Sequence, residues 1–145
     1  MFIQNGILSE QCIADFEVET RLNLPNDYRI FLCKTNGGTF QDSIIKPQRP
    51  GELLIDCLFG LSGKSETDLR FWRGEFDGEI PEKSLIIGSD AGGGFLLLCL
   101  EKDAEGIYYY DHSYFFPASS DSENTYFIYP SFSALFSELN KSFQA

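Results

Sequence analysis

The 145-residue chain carries 22 Asp and Glu against 11 Lys and Arg, a formal charge of −11 at pH 7. Such a surface repels phosphate backbones and anionic lipid, which argues against a nucleic-acid-binding or membrane-adsorbing protein. With 43% apolar and 15% aromatic residues, the chain can bury a core of its own, and its length suits one domain over residues 1–145 with no linker.

Met1 to Gly6 has no basic region, and the longest apolar run, Phe95 to Leu100, is too short to span a bilayer, so the expected location is the cytoplasm. In that compartment Cys12, Cys33, Cys57 and Cys99 are expected as reduced, buried thiols. The same argument sets aside the glycosylation sequon at Asn140-Lys141-Ser142.

Ser9 is placed to cap a first helix running to about Leu22, with Leu8 stapled against Ile13 and with Cys12, Ile13 and Phe16 turned inward. A second helix follows from Leu24. Pro25 suits its first position, Asp27 meets its positive dipole end, and Tyr28, Phe31, Leu32 and Thr35 recur on one face. It should stop at Asn36-Gly37, where glycine accepts a left-handed conformation.

After Gly38 the pattern turns strand-like. Leu53 to Phe59 has every odd-numbered residue apolar, as a half-buried strand requires, and a short helix from about Glu66 to Arg73 comes next. Phe95 to Leu100 is apolar on both faces, which predicts a strand covered on each side. Its antiparallel partner is Ile107 to Tyr110, across the turn Asp103-Ala104-Glu105-Gly106. Residues 111–125 form a long, serine-rich and acidic excursion. Ser131 then caps a closing helix with Phe132, Leu135, Phe136 and Leu139 in one stripe. Helices, then strands, then a helix predict an α+β fold with a largely antiparallel sheet.

The Leu24–Gly38 pattern resembles the signature of the SUKH superfamily, which takes in the fungal Smi/Knr cell-wall glucan synthesis regulators and many bacterial immunity proteins. Ile80-Pro81, Leu85-Ile86-Ile87-Gly88-Ser89-Asp90-Ala91-Gly92-Gly93-Gly94, Gly106-Ile107 and Ser131-Phe132 fall in the family's order, so the resemblance covers nearly the whole chain. In the family an acidic residue often follows the glycine-rich turn; Phe95 stands here. The resemblance supplies no catalytic residues. It implies a non-enzymatic binding protein.

Motifs that carry chemistry are incomplete. Gly63-Lys64-Ser65 lies between a strand and a helix, as a phosphate loop does, but the glycine required five residues earlier is Leu58. Gly88, Gly92, Gly93 and Gly94 precede a strand and offer phosphate no helix N-terminus; they read as a tight turn or bulge. Ser89 misses the nucleophile-elbow spacing by one place. His112 is the sole histidine, and with four scattered cysteines it forms no zinc ligand set. Catalytic residues, cofactor and metal are therefore all expected to be none.

The remaining feature is the aromatic run Tyr108, Tyr109, Tyr110, Tyr114, Phe115 and Phe116, beside acids. Two readings stay open for Tyr108 to Tyr110: recognition of a partner, or cover for the core. The expected partner-binding residues are Tyr109, Asp111, Tyr114, Asp121 and Glu123, meeting a basic toxin or effector domain. A regulator similar to the glucan synthesis factors is the alternative, and a small hydrolase or nucleotide-binding enzyme the third reading. Oligomeric state is open.

Overall fold

Ser9 ends the irregular N-terminal stretch by accepting a hydrogen bond from the Cys12 amide at 3.2 Å, which satisfies one orphan donor of α1, Glu10–Thr20. The computed structural model containing this helix describes residues 2–111 and 125–144, the side chains at 42, 65 and 141–144 excepted. Ile13, Phe16 and Thr20 form the buried face of α1. Cys12 is exposed, contrary to expectation; it stands about 100° around the helix from Ile13, outside the buried stripe.

The second helix, α2, spans Asn26–Thr35 and buries Tyr28, Phe31, Leu32 and Thr35 as the periodicity predicts. Pro25 is not its first helical residue but its N-cap, with an extended ψ of 148°, and its carbonyl accepts from the Arg29 amide at 2.9 Å. Asp27 serves two helices. Its Oδ1 accepts from the Tyr28 amide at 2.8 Å, while its Oδ2 accepts from the Ser133 amide and hydroxyl at 2.9 and 2.8 Å, at the start of α4, Phe132–Gln144. Ser131 also accepts there, from the Ala134 amide at 3.2 Å.

The chain leaves α2 through two left-handed residues, Asn36 (φ 52°) and Gly37 (φ 77°). A Cβ on Gly37 would lie 2.8 Å from the carbonyl carbon of Phe59 and closer still to the Leu58 oxygen, and one on Gly60 would collide with the Asn36 carbonyl. The helix end is thus pressed onto the backbone leaving a strand. Asn36 clamps this contact: its Oδ1 accepts from the Leu61 amide at 2.7 Å, and its Nδ2 donates to the Leu61 carbonyl at 3.3 Å. The last carbonyls of the helix are met by the N-terminal segment, with Asn5 and Gly6 donating to Thr35, and Leu8 to Cys33, at 2.9–3.0 Å.

Among the described residues seven strands lie in chain order in one antiparallel sheet: β1 (Phe2–Gln4), β2 (Gly38–Ile45), β3 (Leu53–Leu58), β4 (Ser84–Asp90), β5 (Phe95–Cys99), β6 (Gly106–Tyr110) and β7 (Thr125–Tyr129). Four of the six ladders, β2–β3, β3–β4, β4–β5 and β6–β7, contain a register shift. Such bulges add local twist, and α4 accordingly packs on β2 and still touches β6 and β7. Thr125, expected in the excursion, pairs with Tyr110 in β7, and residues 112–124 of that expected excursion lie outside the described residues.

Between β3 and β4 the predicted helix is divided. Ser65–Thr67 makes a single 3₁₀ turn, and α3, Leu69–Glu75, is capped by Asp68 rather than Ser65, its carboxylate accepting from the Arg70 amide at 2.8 Å. One aromatic group joins Phe2, Phe31, Phe40, Phe132 and Phe136, with ring centroids 4.7–6.0 Å apart. A second joins Phe59, Trp72, Phe76, Phe95 and Tyr110 at 4.8–6.1 Å and seats α3 on the sheet.

Gly37→Val should destabilise the protein by more than about 1 kcal/mol, since it adds left-handed strain and a backbone clash together. An unchanged urea midpoint would refute this account of the α2 end.

Candidate interaction surface

The glycine-rich stretch closes the β4–β5 hairpin around a buried carboxylate. Asp90 is 8% exposed; its Oδ1 accepts from the Gly94 amide at 2.6 Å and its Oδ2 from the Tyr109 hydroxyl at 3.1 Å. Gly94 is glycine because a Cβ would run into the Tyr109 ring and hydroxyl. Burial, and then the charge of Asp90, push the Tyr109 hydroxyl above its ordinary pKa, so it stays a donor. Tyr109 and Tyr110 are buried and Tyr108 is half-buried.

Asp111 follows directly at the end of β6, partly exposed. The other expected partner-binding positions, Tyr114, Asp121 and Glu123, lie outside the described residues, as does His112.

Over one face of β6, towards the β5–β6 turn, the structure forms a hollow of about 280 Å³. Its walls are Glu79, Ile80 and Pro81 from the α3–β4 connection, Leu97 and Cys99 of β5, Ala104 of the β5–β6 turn, Tyr108 and Tyr110 of β6, and Thr125. Strand alternation explains the lining: Leu97 pairs with Tyr108 and Phe95 with Tyr110, so Leu97, Tyr108 and Tyr110 share one face. Phe76 of the α3 C-cap reaches the near end of this face, against Phe95 and Tyr110, and the far end remains concave. The Tyr108 hydroxyl donates to the Ala104 carbonyl at 2.8 Å, holding the turn against its ring. Phe127, 54% exposed, extends the apolar surface edge-on to Tyr108 at 5.4 Å.

The rim is acidic. Residues 75–83 carry Glu75, Asp77, Glu79 and Glu82 against Lys83, and residues 101–105 carry Glu101, Asp103 and Glu105 against Lys102. The sequence alone did not reveal this rim, because its two segments meet only through the β4–β5–β6 ladder. A larger trough, about 630 Å³, lies between α2 and α4, but its charges are mixed and its Asp27 is already bonded to Ser133.

Other motifs are absorbed by local structure. The Gly63 amide, where a phosphate would sit in a phosphate loop, donates to the Asp68 carboxylate at 2.7 Å, and the Lys64 amide donates to the Ser62 hydroxyl at 3.1 Å. Ser89 donates to Asp56 at 2.6 Å. Burial, and then Asp56, push the Cys57 thiol up to about 11, which leaves it a poor nucleophile. Among the described residues no group of three or more His, Cys, Asp and Glu is placed to hold a metal ion, and no helix is long and apolar enough to cross a membrane.

Two outcomes follow from these contacts. Tyr109→Phe, which leaves the buried Asp90 short of one donor, should cost about 1–3 kcal/mol in urea unfolding, and an unchanged midpoint would show the bond to be idle. Calorimetry with ATP or GTP and magnesium should give no saturable heat, since phosphate would face the Asp68 carboxylate. Heat lost in Lys64→Ala would overturn this.

The SUKH_6, SMI1-KNR4 cell-wall, family model matches residues 10–136, from the first residue of α1 into α4. No curated protein matches the chain. The match takes in both helices of the N-terminal layer, the strands β2 to β7 and the start of the closing helix, so the chain belongs to the SUKH superfamily, in its SMI1-KNR4 cell-wall branch.

Proposed function

We propose that this chain is a non-enzymatic protein-binding module of the immunity type, acting in the cytoplasm, which neutralises a basic toxin or effector domain by covering it. The observation that carries this reading is the segregation of charge: acids gather on the α3–β4 and β5–β6 loops at the start of β6, with Asp111 at the other end of the same strand, in a chain of net charge −11. A field of that sign speeds encounter with a basic partner and rejects nucleic acid. Asp111, Tyr114, Asp121 and Glu123 are the positions proposed to meet the partner; Tyr109, expected among them, is buried and tied to Asp90, so it braces β6 instead of meeting a partner. The cell-wall description of the matching family model favours a second reading, a regulator or scaffold similar to the Smi/Knr factors. A neighbouring toxin gene supports the first reading and a wall-synthesis partner the second.

The test is kinetic. With a cognate basic toxin domain immobilised, association should slow as salt rises. Reversing Asp111, Asp121 and Glu123 to Lys should mainly lower the association rate, and Tyr114→Ala should mainly raise the dissociation rate, because rim charges act on encounter and buried aromatics on residence. Salt-independent binding that ignores all four changes would place the interface elsewhere.

A further inference from the structure

We propose that the hollow between the α3–β4 connection and the β5–β6 turn is an anchor site for one large apolar side chain of a partner, carried on a segment whose flanking residues are Lys or Arg. This rests on the protein-binding reading above and names the chemistry of the partner.

The size of the hollow suits a single side chain. At about 280 Å³ the hollow falls just below the ~300–1,000 Å³ of ordinary ligand pockets, but it has room for a single anchoring side chain. Leu97, Cys99 and Tyr110 make its lining largely apolar, so an inserted charge would be desolvated against them. Glu79 stands in the wall itself, Asp103 and Glu105 flank the wall residue Ala104 in sequence, and Glu82 follows Pro81 on the other loop. An apolar centre within a polar rim is the anatomy of a binding hot spot, and the sign of this rim selects basic flanks. The turn that forms one wall is held by the Tyr108 hydroxyl on the Ala104 carbonyl, so the shape exists before a partner arrives.

The experiment titrates the ¹⁵N-labelled full chain with a pentapeptide of one phenylalanine between two pairs of lysines. Two controls replace the phenylalanine by glycine or the lysines by glutamates. Amide shifts should centre on Ile80, Leu97, Ala104 and Tyr108, weaken about tenfold or more with the glycine control, and vanish with the glutamate one. Ala104 is exposed and its bond to Tyr108 uses only backbone, so Ala104→Trp should fill the hollow and abolish binding while the remaining spectrum reports an intact fold. Should Ala104→Trp unfold the chain, Glu79→Lys with Glu105→Lys at the exposed rim should still weaken binding. Shifts centred on the α2–α4 trough, equal shifts with all three peptides, or undiminished binding by the folded variants would overturn the proposal. A toxin domain that binds Ala104→Trp as tightly as the parent chain would sink the anchor and leave the protein-binding reading intact. A chain that binds this peptide at the hollow but no toxin domain would sink the immunity reading alone.

Discussion

The fold hangs on the exit from α2. There the chain must leave a helix, satisfy its last carbonyls and start a sheet within three residues, in a space with no room for side chains. Asn36 and Gly37 solve the turn by left-handed geometry, and Gly60 lets the backbone following β3 come up against Asn36. Unpaired carbonyls in that position would each cost about 1–3 kcal/mol. The segment Asn5 to Leu8 supplies donors to Thr35 and Cys33, and the Asn36 side chain supplies a matched pair of bonds to Leu61. One junction therefore fixes the N-terminal strand, the second helix and the path into α3.

From that junction the proposed interface follows by simple steps. The exit from β3 leads to the loop closed by Asp68 on Gly63, which sets the start of α3. Its aromatic residues dock on Phe59, Phe95 and Tyr110 and stop short of the β6–β7 side. What they leave uncovered is the hollow. On the opposite face, Asp90 ties the hairpin turn to Tyr109, so that β6 is braced from behind just before Asp111.

Much of this was legible where a local rule acts alone. The Ser9 cap, the stripe Tyr28-Phe31-Leu32-Thr35, the left-handed stop at Asn36-Gly37 and the doubly covered β5 are each set by neighbours in sequence. The misreadings lie where distant partners decide. Phe2 to Gln4 is too short to show a period and becomes a strand only by pairing with Gly38 to Phe40. Asp68 displaces Ser65 as the cap because Gly60 pairs with it in a bridge that starts the helix later. Thr125 reads as loop because its ladder partner, Tyr110, is fifteen positions earlier in the sequence. The hollow was invisible for the same reason, since its walls come from separate stretches spread between Glu79 and Thr125.

The strictly sequential strand order bears on how the chain reaches this structure. Every ladder joins consecutive strands, and the β2–β3, β4–β5 and β5–β6 ladders close short loops, at little entropic cost, without waiting for the far end of the chain. The exception is the aromatic group in which Phe2 meets Phe136, rings 6.0 Å apart, across nearly the full length. During synthesis the hairpins from β2 onward can form as they emerge, whereas the side of Phe31 that meets Phe132 and Phe136 stays bare until the last helix is made. The acidic character of the chain then has a second use: it keeps nascent copies apart while that apolar stripe awaits its cover.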